Sequence, residues 1–71
     1  MKKLTYEEFG KLMYQSLKDE YYNDGYRLGQ ALFNNVHEIN AELANSLRAT
    51  GADCFYNDNK IIHFIDAILE K

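Results

Sequence analysis

Apolar residues recur at three- and four-residue steps along almost all of this 71-residue chain, and no proline interrupts them. That spacing gathers them on one face of an α-helix, and no segment sustains the alternation of a half-buried strand. The chain therefore reads as one all-α domain over residues 1–71, a small bundle of three to four helices at about 5–22, 26–39, 41–50 and 59–70, with no sheet. Thr5 and Glu8 have the spacing of a capping box, which starts the first helix. Phe9, Leu12, Met13, Leu17 and Tyr21 form its apolar stripe, and Asn23-Asp24-Gly25 stops it, since glycine accepts the left-handed conformation that ends helices. Leu28, Ala31, Leu32, Val36 and Ile39 stripe the second helix. Its pattern runs on through Leu43 and Leu47, so a single helix from Tyr26 to Ala49 competes with a break at Asn40, a good N-cap; we place the break.

Gly51 is expected to close the third helix. Beyond it, the polar loop Gly51–Lys60 carries two adjacent aromatics and leads into the most apolar helix, with Ile61, Phe64, Ile65 and Ile68 inward and Ile62 and Leu69 flanking. Phe55 and Tyr56 are expected to anchor this loop to the core, and Asp58 or Asn59 to cap the helix. Gly10 and Gly29 fall inside helices, at about 1 kcal/mol each relative to alanine. Each is either tolerated or marks a close approach of another backbone.

Size and charge narrow the function. A domain this small buries only about 60% of its unfolded surface, so its stability is modest. One cysteine forms no internal disulfide, which favours a reducing compartment or indifference to redox. Met1-Lys2-Lys3-Leu4-Thr5 opens like a signal peptide, but Glu7, Glu8 and Lys11 replace the apolar stretch that should follow. No apolar run reaches the ~20 residues that span a bilayer. A soluble, cytoplasmic protein is the expectation. The net charge of −3 is spread along the chain, whereas nucleic-acid binders concentrate Lys and Arg on one face.

Catalytic and metal chemistry find little support. Cys54 and His63 lie nine residues apart with no second close pair, against the three or four convergent ligands that zinc needs. Asp53, Asn57, Asp58 and Asn59 offer oxygen ligands, but a calcium loop's central glycine is missing and Phe64 stands where its bidentate glutamate belongs. Cys54 beside Phe55 reads as a packed thiol, and His63, with Asp66 three residues on, as solvated. We expect no enzyme activity, no metal and no cofactor.

Two surfaces stand out as sites for a protein partner. Tyr14, Lys18 and Tyr22 share a face of the first helix away from its main stripe, in a chain with six tyrosines. Tyrosine supplies large contact area at low entropy cost. Arg27, Gln30, Asn34 and His37 make a polar stripe on the second helix, beside Asn35 and Glu38, and directed hydrogen bonds from such a face can read a partner. The competing reading of both is a solvated helix face.

In two stretches, Leu28-Gly-Gln-Ala-Leu-Phe-Asn through His37-Glu-Ile and Asp53-Cys-Phe-Tyr-Asn-Asp-Asn-Lys-Ile to Phe64-Ile, the chain resembles a group of small, functionally uncharacterised proteins encoded in phages and prophages. The group has a Gly-Gln-Ala segment and an Asp-x-Phe-Tyr-x-Asp-x-x-Ile-x-x-Phe tail, and the resemblance covers about residues 27–69. It implies an accessory gene of a phage or mobile element, acting by contact with a host or viral protein. It carries over no catalytic or binding residue. Two alternatives stand beside protein binding. One is a small DNA-binding protein with a helix-turn-helix over 26–50, for which Arg48 is the only basic residue on the second helix. The other is a structural homo-oligomer in which the tyrosine face pairs with itself.

Overall fold

Thr5 starts the first helix as its spacing requires. Its hydroxyl accepts from the Glu8 amide at 3.1 Å, and the Glu8 carboxylate accepts from the Thr5 amide at 2.9 Å. The bond from the Thr5 backbone, above all, holds the Glu8 carboxyl below its usual range. The structure, a computed structural model, describes residues 2–70. Among them the chain is all-α, with four helices: α1 (Tyr6–Tyr22), α2 (Leu28–Ile39), α3 (Ala41–Leu47) and α4 (Ile61–Ile68). A 3₁₀ turn, Asp58–Lys60, leads into α4.

The helix ends follow local chemistry, with corrections of a few residues. After α1, Gly25 takes φ +79°, and the Tyr26 amide bonds the Asn23 carbonyl at 3.1 Å. That turn delays α2 to Leu28, two residues later than expected. The break at Asn40 is present: its side chain accepts from the Leu43 amide at 3.1 Å and donates to the Lys2 carbonyl at 2.9 Å. Gly51 does not close α3. Leu47 is the last helical residue, and the left-handed position falls on Ala49, at φ 63°. A β-carbon there costs about 1 kcal/mol, and the Ala49 amide gains a 2.7 Å bond to Asp53. Nor do Asp58 and Asn59 cap the last helical segment. Asn57 caps the 3₁₀ turn by accepting from the Asn59 amide at 2.9 Å, which leaves Asp58 for another task.

The buried core comprises Leu4, Leu12, Leu32, Phe33, Val36, Leu43, Ala44, Cys54, Phe64 and Ile68. Phe33, outside the expected stripe of α2, is its hub. Its ring lies 5.7 Å from both Phe64 and Phe55, with the Arg48 guanidinium 5.0 Å above it. Ile39, expected inside, is 56% exposed at the end of α2, where Asn40 turns the chain away.

The inward face of α1 also differs from expectation. Leu12 is buried and Phe9 and Met13 are half-buried, but Leu17 and Tyr21 face solvent and Ser16 is sealed from it. Ser16 donates to the Leu12 carbonyl at 2.8 Å and accepts from Asn35 of α2 at 2.9 Å, and Asn35 also reaches Asp19 at 3.0 Å. This polar tie rotates α1 so that its late apolar residues point outward. No buried side-chain polar atom among the described residues lacks a partner.

The two ends of the described chain meet. The Leu4 amide donates to the Ile68 carbonyl at 2.8 Å, and the Glu70 amide donates to the Leu4 carbonyl at 2.7 Å. This isolated parallel bridge between Leu4 and Leu69 stops α4 short of Glu70.

Candidate functional site

The loop between α3 and α4 docks on the start of α2, which has no cap of its own. Arg27 occupies the N-cap position and makes no capping bond. Instead Asp58 Oδ1 accepts from the Gly29 amide at 3.0 Å and pairs with Arg27 Nη1 at 3.4 Å. It thereby satisfies one of the orphan amides of the first turn from across the fold. Arg27 also donates to the Phe55 carbonyl, and Cys54 Sγ donates to the Gly29 carbonyl at 3.2 Å. A β-carbon at Gly29 would overlap the Cys54 carbonyl oxygen and stand 2.7 Å from Asp58 Oδ1, so Gly29 is the close-approach glycine. At Gly10 a β-carbon meets nothing within 4 Å.

This joint revises several sequence readings. Phe55 packs edge-on to Phe33 and anchors the loop; Asp58 anchors it too, through α2 and not through the helix that follows. Tyr56 is not an anchor. It is 83% exposed, and its ring reaches Phe55 but not the core, because the half-buried Phe55 occupies the place between them. Arg27 belongs to the joint, which removes its guanidinium from the free polar stripe.

Burial pushes the Cys54 thiol up to about 12, and its sulfur is sealed from solvent, so the thiolate that a nucleophile needs is suppressed. Among the described residues no three His, Cys, Asp or Glu side chains converge as metal ligands. His37 and His63 are exposed on different helices.

On α1 the structure keeps Tyr14, Lys18 and Tyr22 together at the surface. Tyr14 and Tyr22 are 66% and 73% exposed, and the Lys18 ammonium lies 5.4 Å above the Tyr14 ring. Leu17 and Tyr21 join them, and the edge of one ring meets the other where Tyr21 and Tyr22 touch at 4.9 Å. With Glu20 these five line a shallow groove made of α1 alone. Periodicity had assigned Leu17 and Tyr21 to the core; the serine at position 16, where an apolar residue would suit that stripe, was the available sign of the rotation.

The α2 stripe takes no part in that groove. Asn34 donates to the Tyr26 hydroxyl at 2.8 Å, Gln30 is half-buried and His37 is exposed. A second groove, about 390 Å³, runs between α1 and α2 and is lined by Lys11, Gln15, Glu38 and Ile39 among others. Arg48 bonds Asn45 at 3.2 Å and covers Phe33. No protein-family model, curated protein or solved structure matches the chain. No helix among the described residues is long and apolar enough to cross a membrane.

Proposed function

We propose that this chain acts by binding protein, through the outer face of α1 around Tyr14, Leu17, Lys18, Tyr21 and Tyr22. One observation carries the reading: the core closes without these residues, leaving three tyrosines and a leucine side by side in solvent. Clustered exposed apolar area of this kind is typical of a contact surface and costly to keep bare. Tyrosine is also among the residues that dominate interface energetics. The resemblance of residues 27–69 to phage- and prophage-encoded proteins supports an accessory role in the host cytoplasm, exerted by contact with a host or viral protein.

The reading invokes no catalysis and no cofactor. Its test is affinity capture from host lysate with the wild-type chain, Tyr22→Ala and Asn34→Ala, circular dichroism serving as the folding control. Tyr22→Ala is expected to lose the partner at unchanged helicity. Asn34→Ala, whose side chain is engaged by Tyr26, is expected to lose less. Full capture by both variants would remove this surface assignment.

A further inference from the structure

We infer that, in the absence of a host or viral partner, the occupant of the outer face of α1 is a second copy of this chain, with the two α1 helices packed antiparallel; the inference rests on reading that face as a contact surface. At 100° per residue, Tyr6, Gly10, Tyr14, Leu17 and Tyr21 fall within about 80° of arc. They run nearly the whole length of the helix as one narrow stripe. All are exposed, Tyr6 at 68% and Tyr21 at 79%, and Gly10 leaves an open hollow between Tyr6 and Tyr14.

The stripe complements itself in one direction only. Antiparallel about a two-fold axis, Tyr6 meets the partner's Tyr21, and Gly10 receives the partner's Leu17. Near mid-helix, Tyr14 meets the partner's Tyr14 across the axis. A parallel pair would set hollow against hollow at Gly10 and leave Leu17 facing Leu17. Charge agrees with the antiparallel choice. Glu7 and Lys18 flank the stripe on the same side, so each Glu7 comes within a helical turn of the partner's Lys18, and Lys11, 3.8 Å from Glu7, shares that carboxylate. The helix dipoles also oppose in this arrangement.

The available area suits a real but modest interface. A tyrosine carries on the order of 150–250 Å². The exposed fractions of Tyr6, Tyr14 and Tyr21 therefore offer about 320–530 Å², and with Leu17 and the flanking stems the face falls short of the roughly 800 Å² per partner of a standard interface. The self-association is one that strengthens with concentration over the micromolar range.

Sedimentation velocity across a concentration series tests this. The wild type is expected to shift from one-chain to two-chain mass, and Leu17→Glu to weaken assembly by about tenfold or more. Gly10→Gln separates assembly from folding. It adds a good helix former at an open position, so the dilute chain should melt higher while dimerisation is lost. Direction is read by oxidation: Tyr6→Cys mixed with Tyr21→Cys should cross-link, and Tyr6→Cys alone should not. A wild type that stays monomeric at every concentration overturns the second copy as occupant, and the host-lysate capture then still decides whether the face binds something else. Dimerisation of Leu17→Glu at wild-type strength overturns α1 as the dimer face, and the host-lysate capture alone then decides the contact surface. Cross-linking of Tyr6→Cys with itself overturns the antiparallel pairing.

Discussion

The joint at Gly29 and the outer face of α1 treat their side chains in opposite ways. At the joint one carboxylate oxygen of Asp58 serves both an amide and a guanidinium, the Cys54 thiol has its carbonyl, and no room remains for a single carbon. On α1, large rings lie in solvent, with Tyr21 edge-on to Tyr22 and Lys18 above Tyr14. Both regions are rich in residues that could suggest a site. Saturation marks the first as architecture, and the exposed rings of the second are what the proposed contact rests on.

The sharpest way to break that comparison is Gly29→Leu. With backbone in the way, the loop must leave α2, and a loss of more than about 3 kcal/mol is expected, enough to lower the melting temperature by over ~10 °C in a domain this size. An unchanged melting temperature would deny that the joint is closed.

Next in size is an alkaline effect. The Cys54 thiol ionises near its ordinary value of 9.0 once unfolded but only near 12 in the fold. The unfolded chain therefore binds fewer protons than the native one between these values, and stability falls as pH rises through that window, by a few kcal/mol at most. Urea denaturation along this range should show a steeper decline for wild type than for Cys54→Ala; equal slopes would contradict the sealed thiol.

Asp58→Ala should cost about 1–2 kcal/mol by urea denaturation, because the Gly29 amide loses its acceptor; the half-exposed ion pair with Arg27 adds little. Asp58→Asn, which keeps an acceptor, should recover much of that. Smallest of all, Leu17→Glu should move stability by no more than about 0.5 kcal/mol in the dilute chain. A larger loss would mean that Leu17 belongs to the core and would erase the contrast between the two regions.

The sequence made the helices readable because each one buries a stripe, and a stripe is a local pattern. Thr5, Asn40 and Gly25 were readable for the same reason, since caps and turns act over three or four residues. What resisted reading was settled at a distance. Which side of α1 faces inward depends on Ser16 and Asp19 meeting Asn35 from another helix. The task of Asp58 depends on an amide 29 residues earlier. Gly29 was half legible: its cost in a helix raised the question, and only the loop that crosses it supplied the answer. On the candidate surface, Tyr14, Lys18 and Tyr22 were visible as a face, but Leu17 and Tyr21 were hidden among core positions until the rotation of α1 released them.

The bridge between Leu4 and Leu69 has a practical reach. It brings both ends of the described chain to the start of α1, while Tyr22 stands about 25 Å away at 1.5 Å per helical residue. A fusion partner or a solid support attached at either end therefore emerges a helix length from the late tyrosines. In a single chain immobilised by its ends, Tyr21 and Tyr22 point into free solution, whereas an antiparallel copy would bring the partner's Tyr21 beside those ends.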